Sequence, residues 1–498
     1  MAARGISTFW ARSRHALIPA AVALLLCVPG LGQGALATDT AWYTAIAWRA
    51  WSDALGGDLG SLWTLRGVAD QHYFNKPPLA FWLGGAPLAA LGPSVVGARL
   101  GGVAACVLCV LATARLGRLL AGRAVGLGAG LVLATTWEFV RHSHAFSLDL
   151  WMTLFVLLAC CAAAAAHATD RPRGLIIAGA WVGAALMVKP IVPLLALPML
   201  AAWLCIVGRS RWLGRVALAA VVAAAVAAPW HVSMWAMHGE AFTAQYFGRE
   251  IIDRAAGPAA GTPGGAAVFN TGSDSALYYV REVARSYWPW LATVALAFVA
   301  LARGEGTRPL RAALWLALVW CAAWFVLLSI FPDKRPRYLL VIYPLGAVAS
   351  GVLLARLAPR TVRAAWRGIA LWAAPVAAAA CVGLVASGVR LHRPPHPQWA
   401  ALAAWLAEDP SRELRVGALA PQRGAQVFLD TGRWPAPTRD AAGRVIAAPG
   451  AGALLIYHRR DGWAPGEHET VAFELDDLVV TRLEREPWTP RAVADPGE

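Results

Sequence analysis

Between residues 16 and 388 the chain is a succession of apolar stretches separated by short loops, and arginines gather in every second loop. That alternation fixes the fold class before any motif is considered. Inside a bilayer only helices and closed barrels satisfy their own backbone groups, and runs of about 20 apolar residues are helical spans. Such runs occupy residues 16–36, 95–114, 123–141, 147–167, 174–190, 191–207, 213–235, 287–302, 309–330, 338–356 and 366–388. The expectation is an all-α polytopic membrane protein with about eleven spans, within a range of eleven to thirteen. Arg115, Arg118 and Arg123 fall in one loop, Arg171 and Arg173 in the next, and Arg209, Arg211 and Arg215 in the third. Arg303, Arg308 and Arg311 follow in the fourth, and Arg356, Arg360, Arg363 and Arg367 in the fifth. Basic loops stay in the cytoplasm, so the intervening loops and residues 389–498 are expected outside it.

Composition excludes other classes. With 58% hydrophobic residues, a mean hydropathy of +0.52 and 15% charged residues, a soluble fold is ruled out. The net charge of +15 is read as topology-setting arginine. No basic cluster is interleaved with aromatics on a polar domain, so no nucleic-acid partner is expected. All eight cysteines lie in apolar stretches, which predicts neither a disulfide framework nor a thiolate metal site.

Two regions stand apart from the spans. The stretch 79–91 is apolar but closed by Gly92-Pro93, and 13 residues cover only ~20 Å of a ~30 Å hydrocarbon core. It is expected to lie at the outer surface, as part of a first outer loop over residues 37–94. Ala35-Leu36-Ala37 also resembles a signal-peptidase site, and with or without cleavage Asp39 is outside. Residues 1–388 form one expected domain; residues 389–498 form a second, small α/β domain. In it 399–406 reads as a helix and 414–419, 452–457 and 478–483 as strands. The loop 257–265, with Pro258 and Pro263, reads as mobile.

Lysine usage is selective. Of 44 basic residues only Lys76, Lys189 and Lys334 are lysines, each with a proline one or two positions later. Either these are survivors of a composition bias, or a compact three-donor ammonium is required there, as phosphate oxygens would require. The outer face also collects Asp39, Tyr43, Tyr73, Asn75, Arg99, Arg141, His142, His144, Asp149, Glu250, Arg254, Arg337 and Tyr338. So many cations on the side that should lack them imply a bound anion or lipid headgroups. Asp39 can act as a general base on an acceptor hydroxyl or can cap the helix beginning at Thr40. Asp149, near the outer end of a span, can cap its helix. Glu138 and Arg141 are spaced to pair on one helix face, and His142-Ser-His144 lacks a third ligand for a metal. Lys189 is either a phosphate ligand or a snorkelling anchor, and Tyr338 and Tyr343 either line a groove or pack.

Four motifs in order carry a resemblance: Asp39-Thr-Ala-Trp-Tyr43, Tyr73-Phe-Asn-Lys-Pro-Pro78, Ala98-Arg99-Leu100 and Lys334-Arg-Pro-Arg-Tyr338. Over residues 36–355 the chain resembles the aminoarabinose lipid A transferases, GT-C glycosyltransferases related to protein O-mannosyltransferases. The resemblance implies inverting transfer of a sugar from a polyprenyl-phosphate donor, at the periplasmic face, to lipid A, another glycan or a protein. It implies Asp39 and Asp149 as catalytic carboxylates, with Lys76, Arg254, Lys334 and Arg337 as donor-phosphate ligands. Tyr43, Tyr73, Asn75 and Tyr338 would line the substrate. Asn75 and Ile251 stand where close relatives carry a Glu and a His linked to a metal, so neither metal nor cofactor is expected. A monomer in the bacterial inner membrane is expected. A transporter or flippase for an anionic lipid or sugar is the competing class, and it predicts midspan charges that these spans lack. An assembly protein whose tail binds a partner is a third.

Overall fold

A computed structural model describes residues 16–33, 36, 38–67, 72–253, 277–331, 333–357, 397–408, 414–418, 436–437, 454–458, 469–475 and 478–484. The expected span at 366–388, the loop 257–265 and Arg254 lie outside the described residues. The chain divides into two compact units. One comprises residues 1–30, 74–80 and 102–389, the other 31–73, 81–101 and 390–498.

The first unit is helical. It contains α1 (Ala16–Cys27), most of α5 (Val95–Ala121), α6 (Arg123–Ala134), α7 (Trp137–Ser143) and α8 (Leu148–Thr169). Next come α9 (Gly174–Leu186), α10 (Ala196–Ile206) and α11 (Leu213–Thr243), which runs into a π-helical segment, Ala244–Asp253. The unit ends with α12 (Tyr278–Ser286), α13 (Trp290–Ala302), α14 (Arg308–Ile330) and α15 (Tyr343–Leu357). Among the described residues four helical stretches are long and apolar enough to cross a membrane: Val95–Ala121, Leu148–Thr169, Ser210–Ile252 and Arg308–Ile330. Most of the other expected spans coincide with shorter apolar helices.

Small residues let these helices approach. A Cβ on Gly179 of α9 would fall 2.3 Å from the Ala219 carbonyl oxygen of α11, and one on Gly351 of α15 2.7 Å from Val125 O of α6. Such close backbone approach is how helices associate where lipid removes the hydrophobic drive. The helical runs are interrupted in three places. The run 123–141 is broken at Thr135–Thr136 between α6 and α7. α9 stops at Leu186, and the chain turns through Ile191, whose φ of 46° is strained for a β-branched residue. A 3₁₀ turn, Pro336–Val341, precedes α15. His144 Nε2 donates to Cys27 O at 2.6 Å, fixing the α7–α8 junction to α1.

The second unit contains α2 (Thr38–Leu55), α3 (Gly60–Trp63), α4 (Leu79–Leu91) and the start of α5. The short apolar helix ends at Leu91, as Gly92-Pro93 predicts; Gly92 has φ 71°. α4 lies against α2, because a Cβ on Gly85 would meet Ala47 and Trp51 at 2.9 Å. Trp82 Nε1 donates to Leu62 O at 2.5 Å and its ring stacks on Trp63. Buried Arg99 donates to Leu31 O at 2.7 Å and Gln33 O at 2.6 Å, holding the chain that leads into α2.

The C-terminal part of this unit is α16 (Pro397–Ala407) on a five-stranded mixed sheet of order β2-β1-β3-β5-β4. The strands are β1 (Leu414–Ala418), β2 (Ala436–Pro437), β3 (Leu454–His458), β4 (Glu469–Leu475) and β5 (Leu478–Leu483). Leu402, Leu406, Leu454, Ile456, Leu478 and Val480 form its buried core. Each contributes roughly 1.5–3 kcal/mol by leaving water.

Candidate active site

In the first unit a cavity of about 310 Å³ gathers charged side chains in an apolar setting. Its charged lining is Lys76, Lys189, Asp149, Glu250 and Asp333, with Tyr338 beside them. Ile191, Val192, Trp324, Leu327 and Phe331 are among the apolar residues around it.

Local structure delivers each group. Lys76 lies in the Asn-Lys-Pro-Pro turn that opens α4, where Leu79 N bonds to Met187 O at 3.0 Å. Its ammonium is buried and paired with the Glu250 carboxylate of the π-helical segment. Asp149 occupies the first turn of α8, where Ser147 caps by accepting from Leu150 N at 3.2 Å, so Asp149 itself is free of that task. Lys189, in the break after α9, donates to Asp149 Oδ1 at 2.6 Å. Arg337 Nε lies 3.7 Å from Asp149 Oδ2. Tyr338 Oη donates to Asp333 Oδ2 at 2.8 Å, Arg335 Nε donates to Asp333 Oδ1 at 3.0 Å, and Lys189 Nζ sits 5.1 Å from the Tyr338 ring centroid. Two of the three lysines therefore reach one cavity. Lys334, also buried, donates to Phe331 O at 3.1 Å.

Close by in sequence, Glu138 of α7 accepts from Arg141 Nη2 at 2.7 Å, the pair that the spacing predicts. Burial raises the Glu138 pKa, but hydrogen bonds from His142 and Arg141 outweigh it and hold the group at about 2. His142 Nδ1 donates to Glu138 O at 2.9 Å while His144 faces Cys27, so the two histidines have separate partners. Tyr343 packs against Tyr287 and shares a 3.0 Å hydrogen bond with Ser286.

Positions 75 and 251 bear on the expected lack of a metal pair. Asn75 Oδ1 accepts from the Gln245 amide, and Ile251 is an apolar part of the cavity lining. Neither supplies an anionic or imidazole ligand, and among the described residues no three His, Cys, Asp or Glu side chains converge on a metal position. These residues do not fit the metal pair described for close relatives.

In the second unit Asp39 lies in the first turn of α2 and is half-buried. Tyr43 meets Phe81 edge-on at 5.8 Å, and Tyr73 packs edge-on against Phe81 at 5.7 Å and Trp42 at 6.5 Å. Tyr73 N bonds to Leu65 O at 2.8 Å next to the Arg66–His72 bridge, which closes this loop.

Sequence reasoning placed Glu250 on the outer face without a role in the site and did not name Asp333. The one signal for Glu250 is an acid inside the aromatic run Tyr246-Phe-Gly-Arg-Glu; for Asp333 it is adjacency to Lys334.

The similar proteins found by sequence and by fold are named as sugar transferases. A family model described as dolichyl-phosphate-mannose-protein mannosyltransferase matches residues 75–235, and the Alg9-like mannosyltransferase model matches 271–391. The fold aligns with a crystal structure of ArnT from Cupriavidus metallidurans bound to undecaprenyl phosphate, with a TM-score of 0.71 at 18% identity, over 93% of this chain and 97% of that one. An oligosaccharyltransferase from Archaeoglobus fulgidus aligns at 0.53 and 14% identity, over 89% of this chain and 69% of that one. The chain has the GT-C fold.

Within that class it resembles the aminoarabinose transferases, as its motifs predict. The undecaprenyl phosphate-alpha-4-amino-4-deoxy-L-arabinose arabinosyl transferase of Pseudomonas paraeruginosa is 27% identical over 355 residues, 70% of this chain and 60% of that protein. The Edwardsiella ictaluri enzyme of the same name is 26% identical over 304 residues, 58% of this chain and 51% of that protein. The matched stretch thus spans little more than half the length of these curated relatives.

Proposed function

We propose that the protein is an inverting, integral-membrane glycosyltransferase that moves a sugar from a polyprenyl-phosphate donor to a lipid A-like, glycan or protein acceptor. The observation that carries this reading is the cavity in which buried Lys76 and half-buried Lys189 meet carboxylates among apolar side chains. A lipid-linked phosphate needs this combination: apolar surface for the prenyl chain and ammonium groups for the head. Lys76 is the main phosphate ligand, with Lys189 and Arg337 adding charge. Asp149 keeps those two cations oriented. Asp39 takes the proton of the acceptor hydroxyl as its oxygen attacks the anomeric carbon, whose bond to phosphate breaks with inversion. The cations stabilise the departing phosphate without a metal. The role of Asp39 rests on the motif it opens and on its place in the first turn of α2.

The same proposal places residues 1–388 as the transmembrane transferase domain with about eleven spans, acting as a monomer in the bacterial inner membrane. Its site and the domain 389–498 face the periplasm. Transfer is favoured over transport because the family models and relatives are named as transferases, and because the cavity charges sit at helix starts and breaks.

The test compares wild type with Asp39→Asn at matched expression, by mass spectrometry of glycolipids and envelope polymers, with and without chelator. A sugar-sized mass lost in the variant and insensitive to chelation is expected. An unchanged profile from folded protein leaves Asp39 as an acid in the first turn of α2, which begins at Thr38 and not at Thr40, and moves transport ahead.

A further inference from the structure

The proposed phosphate ligand is already occupied by a protein anion. Lys76 and Glu250 are paired with side-chain exposures of 7% and 3%. A donor phosphate and the Glu250 carboxylate therefore require the same ammonium. Burial makes simple addition costly, because a second anion beside an intact pair would be left undercompensated.

The three carboxylates at the cavity are not equivalent. Asp149 is fixed in the first turn of α8 with Lys189 and Arg337 on its two oxygens. Asp333 is held by Arg335 and Tyr338. Glu250 stands on a π-helical segment, a geometry that is rare and concentrated at functional positions. The base of that segment is well anchored. Tyr246 stacks on Phe242 at 5.1 Å and its hydroxyl meets His231 Nε2 at 2.7 Å, while Gln245 bonds to Asn75. Beyond Tyr246 come Gly248, around which a Cβ would meet nothing closer than 4.0 Å, and the exposed Phe247 and Ile252. Beyond the base, Phe247 still packs on Tyr246 at 5.1 Å, but Gly248 and Ile252 leave the turn carrying Glu250 more loosely packed than its base.

The geometry points to Glu250 as an internal stand-in for phosphate: it holds Lys76 in the empty site, yields Lys76 to the lipid phosphate, and returns to Lys76 as the product phosphate leaves. This inference rests on the function proposed above. Its consequence is a competition that the sequence of Lys76 and its neighbours does not reveal. If the pair keeps the site closed nine times in ten, the apparent affinity for a lipid phosphate is reduced about tenfold.

The experiment measures undecaprenyl phosphate binding to the purified full-length chain by native mass spectrometry, for wild type, Glu250→Gln, Glu250→Asp and Lys76→Ala. Glu250→Gln is expected to bind about tenfold more tightly, Glu250→Asp to fall between it and wild type, and Lys76→Ala to lose binding. A gain in affinity cannot arise from misfolding, so it separates the stand-in from a merely structural pair. Unchanged or weaker binding by Glu250→Gln, with Lys76→Ala still defective, overturns the inference and leaves Glu250 as a positioning residue for Lys76. Equal binding by wild type and Lys76→Ala overturns the phosphate seat, and the stand-in with it.

Discussion

Lys189 Nζ donates a 2.6 Å hydrogen bond to Asp149 Oδ1, joining the break after α9 to the first turn of α8 across 40 residues of sequence. With side-chain exposures of 15% and 7%, neither charge can rely on water. Breaking such a buried pair by removing one partner costs on the order of 3–5 kcal/mol, whereas removing both is far milder. Asp149→Asn and Lys189→Met are each expected to lower the melting temperature in detergent, and the double variant to recover most of the loss. If the double variant is as unstable as the sum of the singles, the pair does not hold the break to α8.

Lys76 tests whether lysine is chosen or inherited. Arginine keeps the charge but brings a planar fork in place of a compact ammonium. The wild-type residue is 6% exposed and faces a cavity of about 310 Å³. Lys76→Arg is expected to bind undecaprenyl phosphate on the order of tenfold more weakly, a loss of about 1.4 kcal/mol. Affinity equal to wild type would mean that position 76 needs only a positive charge.

Much of this was legible in sequence where a single local rule decides. α4 ends at Leu91 because Gly92-Pro93 ends it, and β5 coincides with the apolar, β-branched run 478–483. β4 was missed because it is an edge strand carrying Glu469 and Glu474, charges that protect an edge but dilute the apolar signal. Asp149 and Lys76 were visible as chemistry-bearing residues, yet their partners were not. Lys76 and Glu250 are 174 residues apart, and no periodicity links a turn before α4 to a π-helical segment after α11. The break at Thr135–Thr136, inside the expected span 123–141, was also hidden, because hydropathy averages over the residues that bend, whereas the turn at Ile191 falls on the expected boundary between 174–190 and 191–207.

Glu138 gives a pH signature. It is 2% exposed, in α7, which the break at Thr135–Thr136 separates from the apolar helix Arg123–Ala134. Burial raises its pKa, the hydrogen bonds from His142 and Arg141 lower it further than that, and the net value falls from 4.5 to about 2. A depressed folded-state pKa stabilises above the unfolded value and loses that stabilisation as the proton binds. The melting-temperature gap between wild type and Glu138→Gln is therefore expected to be full at pH 7. It should shrink as pH falls below about 4.5 toward 2. A gap independent of pH would show that the carboxylate's charge is not what stabilises α7.

Two glycines predict opposite outcomes for the same substitution. Gly179 of α9 is buried, and its added Cβ would sit 2.3 Å from Ala219 O and 2.7 Å from Ala219 Cα, so α9 and α11 would have to separate. Overpacking of this kind costs roughly 1–3 kcal/mol. The damage should also reach the site, since α9 leads directly to Lys189 and α11 to the segment bearing Glu250. Gly214, near the start of α11, has nothing within 4 Å of its added Cβ. Alanine there removes backbone freedom from the unfolded chain and is expected to stabilise by up to about 0.5–1 kcal/mol. Gly179→Ala should thus lower both the melting temperature and undecaprenyl phosphate affinity, while Gly214→Ala raises the first and leaves the second unchanged. Thermal unfolding and native mass spectrometry on the same preparations read both. A Gly179→Ala protein as stable as wild type would show that α9 and α11 are not in backbone contact at this crossing.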